Sequence, residues 1–446
     1  MQEVQTEKNH TIMRKITLLL LAVLIASTTA LAKKQTKFGK KLAALPGVTS
    51  VEAYKSEKFK EAYVITFTQY IDHRDKSQGT FSQRALVCHV NEDSATVLVT
   101  EGYGLDYYLT KPNYREELSE MFNTNCVIVE HRYFGESKPV LKDKGTYWNG
   151  LTTYNAATDH HRFAEAFHKL YHGKFIATGV SKGGICANMF RMYYPMDVDI
   201  TVPYVAPLCD GPEDPRMAKA IMEYGTPDER QHIQDFMTYM FDNREVFIPM
   251  LKEHCDTAEL MPRIPIEELY DYAVMDMHVA LLARGEIKKI PDYQKCPADT
   301  IFAFFVKYGA PEGFTPSYDN MPYYVQAQRE LGHYALIPEN YKGKKALIDT
   351  HEYLRRCALP EACHANYNPT MRKRVLEYLN KEANQMIFIY GEYDPWTAVG
   401  IKDLVNNPGV YVFINPGNCH RSKIRNFPDE MKDKISYLLS EWLYKK

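Results

Sequence analysis

The residues Lys174-Phe-Ile-Ala-Thr-Gly-Val180 form a β-rich run that passes without a break into Ser181-Lys-Gly-Gly184 and then into a helical pattern from Ile185 to Tyr194. Gly179-x-Ser181-x-Gly183 therefore stands at a strand-to-helix turn, the arrangement of a nucleophile elbow. A sharp turn of this kind presents the serine hydroxyl at the edge of a sheet, and its glycines let backbone and helix approach without a Cβ clash. Further β-rich runs lie at Tyr63 to Gln69, Ala85 to Val90, Thr96 to Thr100, Cys126 to Glu130 and Ile200 to Val205. Several are continuous apolar runs, as strands covered by helices on both faces read. With a helical pattern such as His160 to Tyr171 between them, the repetition predicts an α/β fold with a mostly parallel sheet.

From about Gly211 to Leu379 the pattern changes to long helical stretches, notably Asp228 to Asp242 and Ile266 to Ala283, joined by Pro-rich and Tyr-rich connections. Two strand patterns then return, Gln385 to Tyr390 and Gly409 to Ile414, followed by an amphipathic helix from Pro428 to Leu443. The expected organisation is a first core segment over 33–210, a mostly helical insertion over 211–380 that caps the sheet, and a second core segment over 381–446. Before these, Arg14 and Lys15 precede an apolar run from Ile16 to Ala26 and the small-residue sequence Ala30-Leu31-Ala32. The run is shorter than the ~20 residues needed to span a bilayer, so 1–32 reads as a signal peptide of an exported protein, secreted or periplasmic, with no stable membrane span. Met13 is an alternative start, because the residues before it are polar.

Export permits disulfides, but nine cysteines is an odd number. Cys357 and Cys363 stand close enough to close a small loop. No HExxH or paired CxxC spacing is present, and adjacent His160 and His161 cannot both face one ion from a regular element, so neither metal nor other cofactor is expected. With 54 basic against 56 acidic residues and no basic stripe, nucleic acid is excluded as a partner.

A serine hydroxyl needs a base, and the base needs a carboxylate to orient it. Past the strand pattern Gln385 to Tyr390 comes Gly391-Glu392-Tyr393-Asp394-Pro395-Trp396, and past Gly409 to Ile414 comes Asn415-Pro416-Gly417-Asn418-Cys419-His420. Ser181, Asp394 and His420 thus follow in the order of a serine, acid and histidine triad, each at the C-terminal end of a strand. Glu392 is the fallback acid. The oxyanion hole calls for the backbone N–H of Lys182 and a second amide from Glu101-Gly102-Tyr103-Gly104, for which Tyr103 is favoured. Glu130 reads as a structural carboxylate held by Arg132 or backbone donors, and Tyr133 and Trp148 read as core.

On these residues the sequence resembles a known family. Ser181-Lys-Gly-Gly184, Tyr194-Pro-Met-Asp-Val-Asp199 and Pro203-Tyr-Val-Ala-Pro207 are similar to segments of the secreted bacterial prolyl tri/tetrapeptidyl aminopeptidases, serine peptidases of the α/β-hydrolase fold. Glu130-His-Arg-Tyr-Phe-Gly-Glu-Ser137 and Gly391-x-x-Asp394-Pro-Trp396 resemble the related lysosomal prolyl carboxypeptidases and dipeptidyl peptidases. The resemblance implies an α/β-hydrolase sheet with a cap inserted between nucleophile and acid, Ser181, Asp394 and His420 as triad, and release of tri- or tetrapeptides after proline from substrates with a free N-terminus. Gln326-Ala-Gln-Arg-Glu330-Leu-Gly332 is similar to the Gln-x-x-x-Glu-x-Gly stretch of the related prolyl peptidases, whereas Arg421-Ser422-Lys423 departs from the Asp-Leu pattern of the lysosomal relatives. A free ammonium in a partly dry site requires an opposing carboxylate. Glu330, beside Gly332 where backbone can approach a ligand, is the candidate; the alternative is a surface ion pair with Arg329. An esterase of the same fold would want an apolar cap, and this one is rich in Tyr and charge. A binding protein on an inactive scaffold would have lost a triad member.

Overall fold

The computed structural model describes residues 36–141, 145–316, 319–346, 349–360, 363 and 366–445. The signal-peptide reading of 1–32 falls outside them. The described part of the N-terminal unit, up to Ala44, is the helix Lys37–Ala43, capped by the Thr36 side chain on Gly39 N–H at 3.0 Å. The described residues from Leu45 onward belong to one compact unit.

Among the described residues nine strands build its sheet: β1 (Val48–Ala53), β2 (Glu61–Tyr70), β3 (Thr80–His89), β4 (Thr96–Thr100), β5 (Asn125–Val129), β6 (Phe175–Val180), β7 (Ile200–Tyr204), β8 (Met386–Gly391) and β9 (Val410–Asn415). Their order across the sheet is β1-β2-β3-β5-β4-β6-β7-β8-β9. The first three and their junction with β5 are antiparallel, and every pair from β5 to β9 is parallel. The chain crosses back once, at β4 and β5, and then adds strands in one direction, so the C-terminal ends of β6, β8 and β9 share one edge. This is the α/β-hydrolase fold.

Continuous apolar runs form the central strands because both faces are covered. Along β8, Ile387 and Ile389 pack in one cluster with Ile435, Leu439 and Leu443 of the last helix, Asp429–Tyr444. Their neighbours Met386, Phe388 and Tyr390 face the other side, with Met189 of helix Lys182–Tyr193 and Val375 and Leu379 of helix Thr370–Lys381. At ~25 cal/mol per Å2 of apolar area removed from water, such strands are the main source of the sheet's stability. β2 instead alternates buried and half-buried residues, as an antiparallel strand with one wetter face does.

Between β7 and β8 the chain runs through helices including Pro227–Asp242, Arg244–Thr257, Ile266–Arg284 and Ala298–Gly309, which share an aromatic-rich core containing Phe236, Tyr270, Tyr272 and Phe305. Helix Ile266–Arg284 is buried around most of its circumference, with Glu268, Asp271 and His278 among its buried residues, hence its lack of a single hydrophobic stripe. Helix Thr153–Phe167 begins seven residues before the predicted His160, because Thr152 caps it by accepting from Asn155 N–H at 3.1 Å. Strand β1 was not foreseen; its half-exposed edge position leaves little apolar signal. All nine cysteines are free thiols, Cys357 and Cys363 buried among them, so the small loop suggested by their spacing is not closed by a disulfide. Among the described residues no helix is long and apolar enough to cross a membrane.

Candidate active site

Ser181 sits between the end of β6 and the first turn of helix Lys182–Tyr193, and its φ of 56° lies in the left-handed region that a residue with a side chain rarely adopts. Its N–H donates to the carbonyl of Tyr204 at 2.9 Å, which ties the turn to β7. The geometry demands Gly179: a Cβ there would lie 2.3 Å from the carbonyl oxygen of Gly183. As the first helical residue, Lys182 has an N–H with no intrahelical acceptor, aimed with the helix N-terminus.

Asp394 and His420 are brought together. His420 Nδ1 lies 2.8 Å from Asp394 Oδ2, with the carboxylate fully buried and the imidazole partly open. The other carboxylate oxygen accepts from Trp396 N–H at 3.1 Å, so both oxygens are occupied and the acid cannot swing away. Main chain positions the two loops: Glu392 N–H donates to Asn415 O at 3.0 Å, Tyr393 N–H to Asn418 O at 2.8 Å, and His420 N–H to Ala283 O of the buried helix at 3.1 Å. Glu392, the fallback acid, accepts from Gly417 N–H at 2.6 Å and braces the histidine loop.

The loop after β4 lies against the serine turn. Thr100 Oγ1 donates to Gly183 O at 3.0 Å and to Thr178 O at 3.1 Å. Tyr103, the favoured second oxyanion donor, has its N–H on Glu101 Oε1 at 3.2 Å, and Gly102 N–H is on the same oxygen at 2.9 Å. Burial raises the Glu101 carboxyl against the lowering effect of these donors and of the Tyr108 hydroxyl. The buried Lys182 side chain reaches back to this loop, its Nζ donating to Gly102 O at 2.6 Å, and burial draws its ammonium down to about 8.

Glu330 lies in a wide π-type turn, Ala327–Leu331, and accepts from Thr153 N–H at 2.7 Å. Burial raises its carboxyl, partly offset by Thr153 and the charges of Arg329 and Arg74. Arg329 itself donates to Trp148 O at 2.8 Å. Gly332 serves packing: a Cβ there would stand 2.5 Å from Gly211 O and 2.6 Å from Cys209 Cβ, so the close approach is to protein backbone.

Glu130 is structural, but its partner is Arg84, not Arg132: the guanidinium donates at 2.7 and 2.9 Å, Ser137 Oγ at 2.6 Å and Leu105 N–H at 2.8 Å. Arg132 pairs instead with buried Asp159. Tyr133 is buried and stacks with Trp148 at 5.8 Å, as core residues do. Not evident from the sequence is a train of rings that links the loop after β4 to His420. Centroids run from Tyr103 to Tyr323 at 6.2 Å, to His333 at 5.6 Å, to Trp396 at 5.9 Å and to His420 at 6.3 Å. The abundance of 33 tyrosines was its only signal. Glu117 was missed too: it accepts from Tyr204 OH at 2.8 Å and from the N–H groups of Ile424 and Arg425 at 3.0 and 3.1 Å, anchoring the chain just past His420.

The sheet order and the strand, serine, helix turn at its edge define a hydrolase of the α/β class. The model of the PS-10 peptidase S37 family matches residues 32–245 and 272–443, and the chain belongs to that family of serine peptidases. It is 26% identical to the prolyl tri/tetrapeptidyl aminopeptidase of Streptomyces mobaraensis, over 94% of this chain and 87% of that one. It is 30% identical to the lysosomal Pro-X carboxypeptidase of Mus musculus, over 41% of this chain and 38% of that one. Among solved structures, the proline iminopeptidase of Mycobacterium smegmatis aligns with 85% of this chain and 100% of its own at 12% identity and a TM-score of 0.37.

Proposed function

We propose that the protein is an exported serine exopeptidase that removes tri- or tetrapeptides, preferentially after proline, from substrates with a free N-terminus. Ser181 Oγ attacks the scissile carbonyl while His420 Nε2 takes its proton, and Asp394 holds the imidazole in the tautomer that can accept it. The C–N bond then breaks, the same proton passes to the leaving amine, and water hydrolyses the acyl-serine. The N–H of Lys182 and, once released from Glu101, that of Tyr103 stabilise the oxyanion. Residues 211–380 act as a cap, the ring train through Tyr323, His333 and Trp396 receives proline, and Glu330 takes the ammonium. Residues 1–32 act as the export signal, with Met13 as the alternative start.

The observations that carry the reading are the His420 to Asp394 contact at 2.8 Å past β9 and β8, and a serine held at positive φ at the end of β6. Similarity to the aminopeptidase over 94% of the chain supports the substrate class. The test is incubation with a peptide library, free and N-acetylated, with fragments read by mass spectrometry. Short N-terminal fragments ending in proline, from free peptides only, are expected. Ser181→Ala is expected to lose both this turnover and labelling by a fluorophosphonate; retention of either would remove Ser181 as nucleophile.

A further inference from the structure

The peptide unit joining Gly102 to Tyr103 is gripped from two sides. Its carbonyl accepts from Lys182 Nζ at 2.6 Å, and its N–H donates to Glu101 Oε1 at 3.2 Å. The loop can come this close because position 102 is glycine: a Cβ would lie 2.7 Å from Gly183 N and from Lys182 Cβ. The lysine is 1% exposed, and its ammonium sits 4.8 Å from the ring centre of Phe134 and 5.5 Å from that of Tyr103. Burying a flexible cation beside the serine is costly unless something strong holds it. A charge-assisted bond to one main-chain carbonyl and two ring faces supply that hold.

We infer that the side chain of Lys182 is a positioning residue of the acyl-transfer step, fixing the Gly102 to Tyr103 peptide against the serine turn so that the Tyr103 N–H meets the oxyanion. This rests on the proposed triad. One residue then does two jobs, with its backbone N–H as one oxyanion donor and its ammonium as the clamp on the loop carrying the other. The Glu101 carboxylate sets the resting direction of the Tyr103 amide, and the long 3.2 Å bond is the one that must yield when the oxyanion forms.

The clamp needs the protonated amine, and burial has brought that amine down to about 8. The proton-bound form is the working form, so the contribution is present below this value and lost as pH rises through it. The titratable groups facing the amine are Glu101 on the loop, Cys186 on its own helix, His131 beyond β5 and His160 on helix Thr153–Phe167. Burial holds both histidines below the usual imidazole range, so they are neutral at pH 8. Burial raises the Glu101 carboxyl, and the Cys186 thiol, raised to about 11, stays protonated there.

The test uses a small acyl ester without an amine, so that substrate ionisation does not enter, with rates normalised to the fraction of protein labelled by fluorophosphonate at completion. Wild-type kcat is expected to fall above about pH 8. Lys182→Met is expected to lower kcat at pH 7 by roughly 10 to 100-fold, with KM within about twofold, and to abolish the alkaline fall. Lys182→Arg is expected to keep more activity and move the fall beyond pH 10. A purely packing role would lower the folded fraction and leave kcat per labelled site and the pH limb unchanged. A Lys182→Met protein with kcat within twofold of wild type, or a wild-type profile flat from pH 7 to 10, overturns the inference, and the second result does so even if no variant folds. Ser181→Ala is assayed in parallel: turnover there defeats the triad itself, whereas an inactive Ser181→Ala beside an unaffected Lys182→Met defeats only the clamp.

Discussion

At the ends of β6, β8 and β9 the candidate catalytic residues are held by main-chain hydrogen bonds, as in Ser181 N–H to Tyr204 O and Tyr393 N–H to Asn418 O. In the helical stretch between β7 and β8, the candidate recognition residue Tyr323 packs ring on ring against Tyr103, Tyr324 and His333, while His333 is fixed in turn by its N–H on Gly211 O at 2.9 Å and by Nδ1 at 2.6 Å from Tyr353 OH. The difference teaches where tolerance lies. A hydrogen-bonded strand end admits little adjustment before a reacting atom is misplaced, whereas packed rings can shift together and change which substrate fits.

The comparison breaks most sharply at the acid. Asp394→Asn is expected to lower kcat by roughly 10^4-fold with KM little changed, measured on a proline peptide, since the wrong tautomer of His420 is then favoured. A loss under tenfold would mean that the strand ends do not carry the chemistry.

Stability separates the regions next. Arg132 binds Asp159 at 2.7 and 2.8 Å with both side chains buried. Burial alone would raise the Asp159 carboxyl, but the Arg132 charge and the hydrogen bonds from Arg132 and His73 bring it below the ordinary range. Arg132→Met, which leaves that carboxylate unpaired, is expected to cost about 3–5 kcal/mol in urea unfolding at pH 7. In the wild type this contribution is complete above the unfolded pKa of ~3.9 and is lost as pH falls through the lower folded value. A variant as stable as wild type would remove the pair as a structural element of the core.

Recognition is expected to respond more gently. Glu330→Gln should lower kcat/KM on free-amine peptides by roughly 10 to 100-fold while leaving N-acetylated or ester substrates near wild type. The carboxylate must be ionised to hold an ammonium. Because burial raises it, KM for free-amine peptides should increase on acidification at a pH above the ordinary ~4.3 for glutamate. Equal effects on both substrate types would reassign Glu330 to capping the helix at Thr153. The smallest change is expected at Tyr323→Leu, where loss of an edge contact worth about 0.5–1.5 kcal/mol should raise KM for proline peptides by roughly 2 to 10-fold without changing kcat. A kcat effect larger than the KM effect would place the ring in the chemistry.

Much of this arrangement is legible in the sequence itself. The eight strand patterns found in the sequence all correspond to strands, with β3 starting five residues before the predicted Ala85, because β-branched and aromatic runs bounded by turn residues record local burial. Ser181, Asp394 and His420 could be chosen by order and by position after strands, which are properties of the chain itself. Export and a cap boundary at 211 and 380 remain expectations of the same kind.

What only the tertiary structure decided are partnerships between residues distant in sequence. Glu130 could be recognised as structural, but its choice of Arg84 over the neighbouring Arg132 depends on β3 pairing with β5. Cys357 and Cys363, six positions apart, are both buried as thiols, a matter of side-chain surroundings and not of spacing. The Lys182 side chain turning onto Gly102, and the rings running from Tyr103 to His420, join segments up to some hundreds of residues apart. Periodicity and propensity report how each segment meets its own neighbours, while the direction of a buried polar side chain is set by whichever donor or acceptor the folded sheet brings within about 3 Å.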